Sequence, residues 1–122
     1  MKPFLGLRTV IYKVGDIEKA KTFYTKILGF QPYFDELFYV GYNVAGYELG
    51  LQPDDFTGKT ADNVEAYWGV TDIHSSFEQL LNDGAAAHSE PQNVGGDIYV
   101  ATVKDPWGNL IGIIQNPHFT LP

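Results

Sequence analysis

The sequence contains no cysteine in its 122 residues, which removes disulfide frameworks, thiolate metal sites and cysteine nucleophiles from consideration. Basic residues are scarce: 8 Lys and Arg against 15 Asp and Glu give a formal net charge of −7. A surface of that sign repels a nucleic-acid backbone or an anionic membrane, so neither is expected as a partner. Long apolar runs are also missing. Phe4, Leu5 and Leu7 are too few before Arg8 to form the core of a signal peptide, and no later run approaches a membrane span. A soluble cytoplasmic protein is the expectation.

What is present is apolar and aromatic, at 44% and 15% of residues. That is enough for one domain with a core. Two half-size units of about 60 residues would each be marginal alone and would gain by packing on one another or on a second chain, which makes oligomerisation an expectation.

Residues 7–30 (LRTVIYKVGDIEKAKTFYTKILGF) read as one strand and one helix. Leu7, Thr9, Ile11 and Lys13 alternate with Arg8, Val10, Tyr12 and Val14, the two-residue period of a strand with distinct faces. Asp16 is placed to cap a helix, because its carboxylate can accept from free N–H groups of the first turn. Ile17, Ala20, Phe23, Tyr24, Ile27 and Leu28 then recur at helical spacing, and Gly29 suits the left-handed conformation that ends a helix.

After an extended connection at 30–35, residues 37–42 (LFYVGY) and 44–51 (VAGYELGL) read as a hairpin with Asn43 in its turn. Residues 52–62 hold Pro53, Asp54, Asp55, Gly58 and Lys59 without periodicity, and read as a linker. From Val64 the opening pattern returns. Val14, Asp16 and Ile17 match Val70, Asp72 and Ile73 at a spacing of 56 residues, and the second helix face is Ile73, Phe77, Leu80 and Leu81, closed by Gly84. Residues 85–88, a break at Pro91, a turn at Gly95 and Gly96, and strands at 98–103 (IYVATV) and 110–115 (LIGIIQ) follow. Asp105, Pro106, Trp107 and Gly108 suit successive positions of a type I turn. Gly95 and Gly96 are read as a hairpin turn and not a phosphate cradle, since no helix and no GxxxxGK[ST] frame follows.

The chain therefore divides into two tandem βαβββ units, about 5–53 and 63–117, joined at about 54–62 within one domain spanning 1–122. This α+β repeat, with VGDIEKAKTFYTKILGF in the first unit and DPWGNLIGII near the end of the second, resembles the vicinal oxygen chelate superfamily of glyoxalase I, bleomycin-resistance proteins and extradiol dioxygenases. The resemblance covers residues 7–117. It implies curled sheets that form a ligand cup, helices on the convex side, and homodimers for single chains of this length. In the metal-dependent enzymes of the group, a first-strand and a last-strand position of each unit hold a divalent ion. By motif these positions are Thr9, Glu48, Glu65 and Gly112, with an uncertainty of two residues at Glu48 that would shift it to Gly50.

Thr9 is a poor ligand and Gly112 has no side chain, so only two carboxylates remain, fewer than the three protein ligands of a zinc site. Mg or Mn could manage with fewer if a substrate supplied oxygens. The expectation is no metal-ligating set and no resident cofactor, with a divalent metal as the alternative. His74 on the second helix, His88 after it and His118 in the tail do not complete a set. Glu65 and Glu48 are the candidate catalytic carboxylates, because burial in an apolar cup and mutual repulsion would raise at least one pKa and make a general base. Thr9, Ile11, Lys13, Phe38, Tyr67 and Gly112 are the expected ligand-contacting residues, with Trp68 assigned to the helix-facing core. Two functions stay open: a module that binds a small organic ligand without a metal, and a glyoxalase-like lyase or isomerase using Glu65 or Glu48.

Overall fold

The computed structural model describes residues 7–54 and 65–119, which fall in two compact units. The first runs β1 (Thr9–Val14), α1 (Ile17–Leu28), β2 (Phe34–Glu36), β3 (Tyr39–Val44) and β4 (Tyr47–Pro53). The second runs β5 (Tyr67–Gly69), α2 (Ile73–Asn82), β6 (Ala86–Asn93), β7 (Tyr99–Lys104) and β8 (Leu110–Gln115). Each forms a four-stranded mixed sheet with the same connectivity: order β1-β4-β3-β2 in one and β5-β8-β7-β6 in the other. In each, the first and last strands pair in parallel and the remaining pairs are antiparallel. The chain is α+β, and its repeat is a repeat of topology as well as of sequence.

Both helices start where the aspartates put them. Asp16 accepts a hydrogen bond from Lys19 N and Asp72 from Ser75 N, each cap stabilising its helix by about 1 kcal/mol. Gly29 takes φ 85° and its N–H returns to Thr25 O, the left-handed ending that glycine adopts without steric cost. A tie between helix and sheet comes from Gln115, whose side-chain oxygen accepts from the free Ile73 N–H.

Strand parity decides what each helix covers. In the first unit Tyr12, Val14, Val40, Tyr42, Leu49 and Leu51 are buried together with Ala20, Phe23 and Tyr24 of α1. The phenol of Tyr42 is satisfied in that core by Thr25 Oγ1 at 2.8 Å and Lys21 O at 3.1 Å. In the second unit Ala101, Val103, Ile111 and Ile113 are buried with Ile73 and Phe77 of α2. Trp68 lies opposite Ile113 in register, on this helix-facing side. The other sheet faces carry Thr9, Ile11, Lys13, Glu48, Gly50 and Gln52 in one unit, and Tyr67, Gly112, Thr102 and Val100 in the other.

Four local expectations need correction. The first hairpin turns at Ala45 and Gly46 instead of Asn43: Val44 pairs with Tyr47, both turn residues have positive φ, and Asn43 Oδ1 instead accepts from Gly46 N. Residues 34–36, expected as part of a connection, form the short edge strand β2. Gln52 and Pro53 extend β4 beyond the expected linker start, while residues 55–64 of that linker lie outside the described residues. Pro91 does not break the chain, because it sits in the edge strand β6 beside register shifts, where a missing N–H costs no ladder bond. The glycine pair at 95 and 96 does form the β6–β7 turn, with positive φ at both.

The DPWGN segment folds as a turn held by a buried carboxylate. Asp105 is 4% exposed and accepts from Trp107 N, Asn109 N and Asn109 Nδ2 at 2.8–2.9 Å. Gly108 N–H reaches Asp105 O, and Gly108 itself takes φ 87°.

Candidate functional site

The first unit gathers its polar chemistry on the sheet face opposite α1. Parallel pairing sets Thr9 beside Glu48, and Thr9 Oγ1 donates to Glu48 Oε1 at 3.0 Å. Tyr33, just before β2, donates its hydroxyl to the other carboxylate oxygen. Tyr39, at the start of β3, holds its hydroxyl over Gly50 on the same face, close enough to Glu48 for the two groups to shift one another's pKa. The arrangement needs glycine at two places. A β-carbon on Gly41 would stand 3.0 Å from Glu48 Oε2, and one on Gly50 would stand 2.1 Å from the Tyr39 hydroxyl.

These hydroxyl donors set the electrostatics. The bond from Tyr33, reinforced by those from Thr9 and Tyr39, holds the Glu48 carboxyl below its ordinary value, against a smaller opposing effect of burial. The Tyr39 phenol is pushed up to about 12 by burial and by its bond to Glu48. Tyr33 is raised first by its bond to the same carboxylate. For Glu48 the upward shift expected of a carboxylate in an apolar cup is therefore reversed: its surroundings donate hydrogen bonds, which stabilise the charged form.

A shallow groove of about 180 Å³ opens on this carboxylate, lined by Tyr33, Asn43, Gly46, Tyr47 and Glu48. Farther along the same face Ile11 is 47% exposed and lies opposite Gly50, and Lys13 Nζ bonds Gln52 Oε1. Thr9, Ile11, Lys13 and Glu48 thus share one face. Phe38 does not join them. It lies in the β2–β3 turn, 66% exposed, with its ring 6.0 Å from that of Phe34. The parity that buries Val40 and Tyr42 gives Tyr39 the position over the face.

In the second unit Glu65 precedes β5 and accepts from the Tyr67 hydroxyl at 3.0 Å. Tyr67 lies across Gly112, its register partner on β8, so closely that a β-carbon there would be 2.7 Å from Tyr67 Cδ1 and 2.6 Å from Ala66 O. On the far side of Gly112, Thr102 is 8% exposed and shares a 2.8 Å hydrogen bond with His88 Nδ1. The row Glu65, Tyr67, Gly112, Thr102, His88 crosses the whole sheet. His88, read from sequence as merely following the helix, belongs to this face. His74 packs against Tyr99 at 5.9 Å, and His118 Nε2 lies 2.7 Å from Gly96 O.

Register also corrects the repeat equivalence. Tyr67 is the counterpart of Ile11 at the 56-residue spacing, and these pair with Gly112 and Gly50. Gly50 is thus the counterpart of Gly112, and Glu48 stands one strand repeat earlier, where the second unit has Leu110. The four carried-over positions become Thr9, Gly50, Glu65 and Gly112. Glu65 is the sole carboxylate in that set, and both glycines lie under tyrosine rings. That donor set does not fit a divalent ion, which needs several oxygen or nitrogen ligands. Among the described residues no group of three His, Asp or Glu side chains is positioned to hold one. No described helix is long and apolar enough to cross a membrane.

Comparison with known proteins agrees with this architecture. The chain is 30% identical over 118 residues to a probable lactoylglutathione lyase of Vibrio parahaemolyticus, covering 85% of this chain and 86% of that protein. A namesake from Vibrio cholerae is 30% identical over 121 residues, with the same coverage. Among solved structures, a glyoxalase-related enzyme from Fulvimarina pelagi superposes with a TM-score of 0.80 at 18% identity, over 98% of this chain and 94% of that one. The model of the Glyoxalase/Bleomycin resistance protein/Dioxygenase superfamily matches residues 6–113, and the chain belongs to that superfamily.

Proposed function

We propose that this protein binds a small organic molecule on the open aromatic faces of its sheets and does so without a resident divalent metal. The carrying observation is the tyrosine cover of the two glycines. Where a ligand side chain would have to stand, Tyr39 overlies Gly50 and Tyr67 overlies Gly112. The remaining carboxylates are engaged by hydroxyls, Glu48 by Thr9 and Tyr33, and Glu65 by Tyr67. A homodimer in the cytoplasm is part of this reading, since each unit alone is small for independent stability.

Native mass spectrometry of the purified chain, with elemental analysis, tests the proposal. Dimer mass, no stoichiometric metal and no thermal stabilisation by Ni, Co, Zn or Mn are expected. One bound metal per site would overturn the metal-free reading.

A second reading is favoured by the Vibrio relatives, whose names assign them a lyase activity on lactoylglutathione. In that case the chain is a lyase or isomerase, and Glu65 is the better base. Glu48 is held ionised by its donors, and a carboxylate so stabilised is a weak proton acceptor. Turnover by the wild type that is abolished in Glu65→Gln and retained in Glu48→Gln would establish this second reading.

A further inference from the structure

Resting on the ligand-binding reading, we infer that the ligand carries an organic cation, a protonated or quaternary ammonium group, which docks on Glu48 in the groove lined by Tyr33 and Tyr47. Among the described residues, the negative charge in this groove has no positive partner. Glu48 receives hydrogen bonds from neutral hydroxyls alone. The ion pairs found among the described residues join Lys21 to Glu18 and Asp35, and neither involves Glu48.

The lining selects against other ligand classes. Among the described residues no lysine, arginine or histidine lines the groove to receive an anion, and the formal net charge of −7 repels one. Of the groove's hydrogen-bonding groups, the Tyr33 hydroxyl already donates to Glu48 and Asn43 Oδ1 already accepts from Gly46 N, which leaves a neutral ligand fewer groups to pair with. A multivalent metal ion finds one carboxylate where it requires several ligands. What remains is a charge in an open groove about 180 Å³ in volume, flanked by two tyrosines. Aromatic rings attract a cation through the negative potential of their faces and accept its methyl or methylene groups as apolar contact. The hydroxyls of Thr9 and Tyr33 fix the carboxylate in place beforehand, so binding does not have to order it.

Choline and 3,3-dimethylbutan-1-ol test the inference, because they share a shape and differ in charge. Titration of the full chain with each, followed by amide NMR shifts at constant ionic strength, should give saturable shifts with choline at residues 33, 43 and 46–48. The alcohol should bind at least tenfold more weakly. Glu48→Gln should weaken choline at least tenfold, and acidifying wild-type protein until Glu48 is protonated should do the same without any substitution. Equal binding of the two probes, or choline binding that survives protonation of Glu48, overturns the cation inference and leaves the ligand-binding reading standing. Sodium producing the same shifts as choline overturns it in favour of a plain counter-ion. Saturable shifts from neither probe overturn the cation inference and leave the ligand-binding reading to its own test.

Discussion

The ring of Tyr39 lies across Gly50, its hydroxyl oxygen 2.1 Å from where a β-carbon on Gly50 would stand. Tyr67 covers Gly112 in the same way, but there the nearest obstacle is main chain, Ala66 O at 2.6 Å. The two glycines therefore differ in what must give way when a methyl group is added.

Gly112→Ala has to part β5 from β8, because Ala66 O is fixed by its 3.1 Å bond to Gly112 N. A loss of about 1–3 kcal/mol is expected. Gly50→Ala can be relieved by swinging Tyr39 away from Glu48, so its loss should be smaller. Urea unfolding of both variants checks the order, and equal losses would show that Tyr39 is as immovable as main chain.

The hairpin turn between β3 and β4 holds Ala45 at φ 53° and Gly46 at φ 92°. Two successive positive φ values are the type I′ geometry that matches strand twist, and Asn-Gly is its favoured pair. Alanine in the left-handed region costs about 1–2 kcal/mol. Ala45→Asn should raise stability by about 0.5–1 kcal/mol through relief of that strain. A lower melting temperature for the variant would contradict this account of the turn.

The Glu48 cluster predicts opposite pH dependences at the two ends of the scale. The folded pKa of Glu48 lies below its ordinary value of 4.5, so between those values the unfolded chain binds more protons. Its contribution is complete above 4.5 and disappears as pH falls through the folded value. Tyr39 is raised from 10.0 to about 12, so its contribution is complete below 10.0 and disappears as pH rises through about 12. Melting temperatures across pH should show a shallower acid decline in Glu48→Gln and a shallower alkaline decline in Tyr39→Phe. Unchanged slopes would detach these groups from the pH response.

The elements that local chemistry specifies were legible in the sequence. Asp16 and Gly29 bracket α1 as the capping pattern requires, and the second aspartate caps α2 in the same way. The alternation along β1 correctly separated Thr9, Ile11 and Lys13 from Tyr12 and Val14. Failures came where two local signals competed. Asn43 has a turn-forming side chain, yet it spends that capacity on Gly46 N from the end of a strand. Reading 37–42 as one strand hides the two-residue turn at Leu37 and Phe38, and the strand that follows it sets Tyr39 over the open face. Burial of Val40 and Tyr42 against α1 settles that parity.

By itself the sequence determined the repeated strand–helix openings, their caps, most of the strands that follow them, the acidic and cysteine-free composition and the residues available for a site. Those follow from composition, from periodicities of two and 3.6 residues, and from a repeat that can be read within one window at a time. The tertiary structure decided which of those residues meet. Thr9 and Glu48 are 39 positions apart and Tyr33 and Glu48 are 15 apart, and their contact depends on sheet register, which no local pattern encodes. Register likewise placed Gly50, and not Glu48, as the partner of Gly112 in the repeat, and brought His88 to Thr102. A one-residue slip in a strand reverses every face along it, so the sequence could supply the carboxylates and only the folded sheets could say what holds them.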